Sequence, residues 1–332
     1  MINKEYPDIS CVIIGLNCAR TLADCITSVK KASYPKEIEI VYVDGGSKDN
    51  SIAIADSFGA VKTVSLNLKN PTPGRQRNEG WRIAKGELVQ FLDSDTQIDP
   101  LWLYRAVESM NDRIAAVFGY VKELYPDKNW FHFIADVEWN VEWDTVIKNK
   151  YFGGNVLIRR SALENTAGYN DNLIAGEDPE LSFRIREKGY QIKRLDVPMS
   201  YHDIDMRNIF QYTKRCFRTG YGLAEVSAIL YRKKDYSWIK RLLKTVVKTT
   251  GTLLFFILAY LFQSTSFLFI AFALNIMPII KIALYKEQFN ISFKKSVMYA
   301  LHVVPCAYPV TVGIFRYCLA KILHWPLTNR MV

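Results

Sequence analysis

Apolar residues gather in short runs along the first part of the chain, each closed by small or polar residues. The first run, Ile9 to Ile14, is followed by Gly15-Leu16-Asn17 and then by Leu22, Cys25, Ile26 and Val29 at the spacing of one helix face. A second run, Ile38 to Val43, ends in Asp44-Gly45-Gly46-Ser47-Lys48-Asp49-Asn50 and precedes a helix from about Ser51 to Phe58. The third is Val61 to Leu66. A loop with Pro71, Pro73 and Gly74 leads into a helix that carries Arg75 to Gly80 and ends near Lys85-Gly86. The fourth run, Leu88 to Leu92, stops at Asp93-Ser94-Asp95. Buried strands alternating with helices at this spacing predict an α/β fold with a mostly parallel sheet, whose ligands bind outside the carboxyl ends of the strands. Asn17, Asp44 and Asp93 each follow such an end and are expected to line one crevice.

Two carboxylates separated by one small residue, held where a buried strand meets a loop, suit a hard divalent cation that carries a diphosphate. Turn-forming acids in a plain loop are the simpler explanation of such a triplet. Further on, Glu177-Asp178-Pro179-Glu180 precedes an amphipathic helix. Pro179 suits the first helical position with Asp178 as the N-cap, so a purely structural role is available to that acid as well. A strand from Gln191 to Val197, with its extension, leads to Ser200-Tyr201-His202-Asp203.

In this order and at this spacing the chain resembles a family 2 glycosyltransferase of the GT-A fold over roughly residues 8 to 205. The residues that carry the resemblance are the first strand with its loop, V-D-G-G-S-x-D-N-S at 43 to 51, R-N-x-G at 77 to 80, G-E-L-V-Q-F-L-D-S-D at 86 to 95, G-G-N at 153 to 155 and G-E-D-P-E-L-S-F-R at 176 to 184. The resemblance implies a nucleotide-sugar donor held near Ile14, Asn17 and Gly154, with Asp44 on the base and Arg77, joined by Arg75, facing the phosphates. It implies Mn²⁺ or Mg²⁺ on Asp93 and Asp95, Asp95 the direct ligand and Asp93 near the ribose or sugar. His202 is a further candidate ligand, although a lone histidine is more often packed or exposed. It also implies Asp178 as the base that deprotonates the acceptor, with Glu177 positioning the acceptor, and hence inversion at the anomeric carbon. The Q-x-x-R-W of processive members is absent: Gln211-Tyr212-Thr213-Lys214-Arg215 stands in its place. Lys214, Arg215 and Arg218 remain candidates for phosphate or acceptor contacts.

The last third changes the setting. Residues 249 to 280 contain no charged side chain, which is more than one bilayer-spanning helix requires. A helical hairpin over about 246 to 284, turning at Gln263 to Ser266, is expected, with a further span or re-entrant segment at about 296 to 319 interrupted by Pro305 and Pro309. The net charge of +10 gathers on Lys233, Lys234, Lys240, Arg241, Lys244 and Lys248 before the hairpin, and on Lys281, Lys286, Lys294 and Lys295 after it. By the positive-inside rule these flanks are cytoplasmic. They border spans and form no separate basic face, so no nucleic acid is expected as a partner. Residues 206 to 245 read as basic amphipathic helices at the interface with membrane lipids.

The six cysteines match no zinc spacing and are expected to be reduced thiols. No N-terminal signal segment is read, because the first apolar run is short and strand-like. Trp130, Trp139 and Trp143 stand among acids between Tyr125 and Lys150 with packing or sugar stacking as their use. The expectation that emerges is an integral membrane protein with a GT-A domain over 1 to 205, interface helices over 206 to 245 and a transmembrane region over 246 to 332. A UDP-sugar is the expected donor, a polyprenyl-linked saccharide the acceptor, and the cytoplasmic face of a bacterial inner membrane the location. The alternatives are a polyprenyl-phosphate sugar synthase, whose acceptor is the lipid phosphate, and a non-catalytic nucleotide-sugar-binding scaffold.

Overall fold

The computed structural model describes residues 5–66, 71–140, 150–287 and 291–325. Trp143 lies outside them. The chain divides into two compact units, one ending at Asp205 and the other beginning at Met206.

The first unit is built on eight strands: β1 (Ile9–Gly15), β2 (Glu39–Asp44), β3 (Val61–Ser65), β4 (Leu88–Asp93), β5 (Thr96–Ile98), β6 (Ile114–Glu123), β7 (Val156–Arg159) and β8 (Gln191–His202). They lie in one sheet in the order β3-β2-β1-β4-β7-β6-β8-β5. The helices of this unit are α1 (Leu22–Lys30), α2 (Ser51–Ser57), α3 (Pro73–Ile83), α4 (Trp102–Glu108), α5 (Trp130–Asn140), α6 (Arg160–Thr166) and α7 (Glu177–Glu187). Strands β1 to β4 run parallel, with Gly15 paired to Asp44 and Ile14 to Asp93. The polar residues that close these runs therefore sit level with one another. Strand order reverses at β1, which places β4 on the far side from β2 and opens the crevice expected at such a switch point.

The other half of the sheet is mixed. β7 is antiparallel to both β4 and β6, β8 runs parallel to β6, and the short β5 is antiparallel to β8. Because β6 and β8 point the same way as β4, Glu123 and His202 emerge at the same end of the sheet as Asp93. Thr96 is paired with His202, so the chain that leaves Asp95 is stitched at once to the end of β8. On α1, Leu22, Cys25, Ile26 and Val29 are buried, the face their spacing predicts. α3 starts with Thr72 as N-cap, its hydroxyl accepting from the Arg75 N–H, and with Pro73 in the first turn.

The second unit is helical: α8 (Ile209–Arg232), α9 (Ser237–Phe262), α10 (Thr265–Glu287) and α11 (Phe293–Ile322). Three of these helices, over Ser237–Phe262, Thr265–Lys286 and Phe293–Ile322, are long and apolar enough to cross a membrane. The turn between α9 and α10 passes through Gln263 in the left-handed region, at φ 47°. α11 continues through Pro305 and Pro309 without ending, so the interruption expected there is absent; packed neighbours, in place of water, accommodate proline inside a spanning helix. Side-chain hydrogen bonds join the three helices: Thr249 Oγ1 to Thr311 Oγ1 at 2.8 Å, and Asn275 to Thr252 and Tyr308 at 3.3 and 3.2 Å.

Helices α8 and α11 meet where each carries a glycine. A Cβ on Gly220 would stand 1.9 Å from the Val310 carbonyl oxygen, and one on Gly313 would stand 2.1 Å from that of Phe217. Only small residues permit such backbone approach. Gly220→Ala is expected to force the pair apart at about 1–3 kcal/mol, seen as a lowered apparent melting temperature in detergent.

Candidate active site

The loops after β1 and β2 are fastened to each other. Asn17, left-handed at φ 53°, accepts the Lys48 N–H through Oδ1 and donates its own N–H to Ser47 Oγ. The Ala19 N–H donates to Asp49 Oδ2, and the Ser51 N–H donates to Asp49 Oδ1. The run at 43 to 51 thus builds a rigid double loop at one side of the crevice. Asp44 is fully buried and accepts from the Tyr42 hydroxyl and from the N–H groups of Gly46 and Ser47. It holds the floor of that loop, and a base meeting its carboxylate would compete with these donors.

Three carboxylates converge across the crevice around Arg77. Its guanidinium is 3% exposed and reaches Glu177 Oε1 at 2.8 Å, Asp93 Oδ1 at 2.9 Å and Asp178 Oδ1 at 3.6 Å. The Tyr169 ring lies 5.4 Å from it. The resemblance places this guanidinium at the donor phosphates; here acids of its own chain surround it, and a buried guanidinium requires such anionic partners. Arg75, on the same helix, is exposed. Gly154 closes the other side, where a Cβ would stand 2.6 Å from Arg77 Nη2 and 2.8 Å from Asp93 Oδ2. Next to it, the Asn155 side chain accepts the Asp93 N–H and donates to Ser200 Oγ, tying β4 to β8.

Asp178 is not the helix cap expected from its spacing. Gly176, at φ 85°, occupies the cap position and α7 begins at Glu177, which a left-handed residue allows one turn-position earlier than an Asp–Pro start. Glu177 and Asp178 therefore lie in the first turn, where the helix dipole favours the ionised acid. Asp178 Oδ1 is buried and accepts no hydrogen bond. Burial lifts this carboxyl well above the usual carboxylate range, Arg77 opposing and the charges of Glu177 and Asp93 adding. Burial also raises Asp93, with Asp95 and Glu177 adding while Arg77 and His202 oppose.

His202 Nε2 lies 3.1 Å from Asp95 Oδ1, yet that oxygen is buried without a hydrogen bond. Two carboxylates and an imidazole with an uncommitted oxygen fit Mn²⁺ or Mg²⁺ as an open set that a substrate diphosphate would complete. A tighter cluster, with ligand atoms within 4.8 Å of one another, is formed by Glu123, His132 and Asp203. Its oxygens are occupied by protein donors, as described below. Two residues that touch the site carried no usable signal in the sequence: Asn155, read only as part of G-G-N, and Trp139, whose ring packs edge-on against His202 at 4.6 Å. Lys214, Arg215 and Arg218 belong to α8 in the second unit, with Lys214 and Arg218 exposed.

Residues 10–166 match the model of "Glycosyl transferase family 2", and residues 138–208 match that of "N-terminal domain of galactosyltransferase". Among curated relatives, the putative glycosyltransferase EpsH of Bacillus subtilis is 25% identical over 245 residues, covering 70% of this chain and 71% of EpsH. Two further relatives are spanned over 49% and 46% of their length. Among solved structures, the mannosyltransferase PcManGT of Pyrobaculum calidifontis, in complex with GDP-Man and Mn²⁺, has a TM-score of 0.63 at 17% identity over 96% of this chain and 89% of its own. The Staphylococcus aureus TarS 1-349 structure with UDP-GlcNAc reaches 0.50 at 18%, over 65% of this chain and 66% of its own. Those likenesses establish the fold, and the family match spans Arg77, Asp93 and Asp95, so the catalytic unit is similar to the family 2 glycosyltransferases, inverting enzymes of the GT-A fold.

Proposed function

We propose that the protein is a membrane-attached, metal-dependent enzyme that transfers one sugar from a nucleotide donor, a UDP-sugar first among candidates, to a lipid-linked saccharide in surface-glycan synthesis. The observation that carries the reading is the Asp178 carboxylate, buried, raised in basicity and with Oδ1 uncommitted, held by Arg77 beside the Asp93–Asp95 end of β4.

The loops at Ile14, Asn17 and Asp44 would seat the nucleoside, and Gly154 lets Arg77 and Asp93 come close to the backbone where the donor would lie. Asp93, Asp95 and His202 would hold the cation, which supplies positive charge to the departing diphosphate. Asp178 takes the proton from the acceptor hydroxyl as its oxygen bonds to the anomeric carbon. On the opposite face the bond from that carbon to the diphosphate oxygen breaks, and the electron pair leaves with the nucleoside diphosphate. A single in-line displacement inverts the configuration. Glu177, bound to Arg77 at 2.8 Å, fixes the guanidinium that fixes Asp178.

Three helices capable of crossing a membrane, the first preceded by Lys233 and Lys234 and carrying Lys240, Arg241 and Lys244 toward its N-terminal end, support attachment with the catalytic unit on the cytoplasmic side. Attachment of that kind suits an acceptor carried on a polyprenyl diphosphate. The test is release of nucleoside diphosphate by the detergent-solubilised protein from UDP-, GDP- and dTDP-sugars, with Mn²⁺, with Mg²⁺ and with EDTA. One donor is expected to be consumed, EDTA to reduce release to background, and a polyprenyl-linked saccharide to raise it. No release from any donor with acceptor lipid present would overturn the proposal in favour of a scaffold.

A further inference from the structure

Helix α5 presents His132, Asp136 and Trp139 at positions i, i+4 and i+7, one face of a helix. All three contact the ends of β6 and β8. His132 Nδ1 lies 2.6 Å from Glu123 Oε1, both side chains wholly buried. The Asp136 carboxylate accepts the Glu123 N–H at 3.3 Å. Trp139 packs edge-on against His202, ring centroids 4.6 Å apart and planes at 85°.

Glu123 and Asp203 form a satisfied anchor. Glu123 accepts the N–H groups of Tyr125 and Ile204 in addition to His132, and Asp203 accepts Arg20 Nη1 at 2.7 Å and the Asp205 N–H. These bonds, with the Leu124 N–H donated to the His202 carbonyl and the Asp203 N–H donated to that of Asp95, clamp the backbone on both sides of His202. Backbone clamping fixes the Cα of His202, and the Trp139 ring packs against the imidazole itself.

From this arrangement we infer that α5 is the positioning element of the metal site: His132 and Asp136 anchor it to Glu123, and Trp139 holds the His202 ring with Nε2 toward Asp95. Trp139 is a positioning residue, acting on the cation only through His202. Partners that orient a metal-ligating histidine commonly set affinity by about 10- to 100-fold. The inference rests on reading Asp93, Asp95 and His202 as the metal set.

The experiment is Mn²⁺ binding by the full-length protein in detergent, with UDP present, followed by the electron paramagnetic resonance of free Mn²⁺; no turnover is needed. Trp139→Leu, which fills the space without a ring, is expected to weaken Mn²⁺ binding about 10-fold or more, while Trp139→Phe stays within about 3-fold of wild type and both melt as wild type does without metal. His202→Ala is the reference. If it binds Mn²⁺ as wild type does, the metal set is wrong whatever Trp139 does. If His202→Ala weakens binding and Trp139→Leu does not, the positioning role alone is overturned. Should Trp139→Leu fail to fold, Asp136→Ala, which removes the acceptor of the Glu123 N–H and keeps the ring, is expected to show the same loss. Unchanged affinity there would equally count against the inference.

Discussion

Asp178→Asn is expected to lower the rate of sugar transfer by about 10²- to 10⁴-fold, the usual share of a positioned general base, with donor binding nearly unchanged. The amide keeps the shape of the acid and its place in the first turn of α7, but has no basic oxygen to receive the acceptor proton. The pH profile gives an independent check. Burial, with the charges of Glu177 and Asp93 and against Arg77, holds the Asp178 carboxyl well above the usual carboxylate range. The base acts only when ionised, so wild-type kcat/KM is expected to rise with pH through a limb set above the ordinary aspartate value of about 3.9, and the variant's residual rate is expected to lack that limb. A variant that transfers at nearly the wild-type rate would point to an acceptor that needs no deprotonation, as a lipid phosphate oxygen would not.

The parallel half of the sheet was legible because β1, β2 and β4 are buried on both faces and read as short apolar runs. Each run ends in the residue that faces the crevice, so Asn17, Asp44 and Asp93 could be grouped from spacing alone, and the register of Gly15 with Asp44 and Ile14 with Asp93 puts them level. The mixed half was less legible. β5 is three residues long and has no periodicity to find, yet its pairing with β8 is what sets His202 beside Asp95. Trp139 reaches the site because α5 packs on the end of β6, a tertiary fact that a row of tryptophans among acids does not announce. The start of α7 was misjudged for a local reason. An aspartate before proline is a good cap by composition, but Gly176 can adopt the left-handed conformation and begins the helix earlier. The partners of Arg77 were not legible, because spacing cannot show that Glu177, far along the chain, folds back onto a guanidinium that the family resemblance assigns to the donor phosphates.

Arg77→Met is expected to be the most damaging single change in the catalytic unit. Removing one partner of a buried charge set leaves the others uncompensated, at about 3–5 kcal/mol, and here three acids, Asp93, Glu177 and Asp178, share the one guanidinium. Arg77→Lys is expected to recover only part of this, because an ammonium is a point charge and cannot present a planar fork to several carboxylates together. The sign of the pH dependence follows from the acids. Burial already raises Asp93 and Asp178 while Arg77 pulls them down, so without the arginine both rise further above their unfolded values. Acids raised in the folded state contribute stability that is fully present below the unfolded pKa and is lost as pH climbs through the folded one. The deficit of Arg77→Met relative to wild type is therefore expected to be smallest near pH 4 and to widen toward pH 8, the reverse of an ordinary surface ion pair lost to acid. Melting curves of both proteins in detergent across that range decide the matter. If Arg77→Met melts with the wild type at pH 8 and shows only a raised KM for the nucleotide sugar, the guanidinium belongs to the donor phosphates and is not the clamp of the acidic cluster.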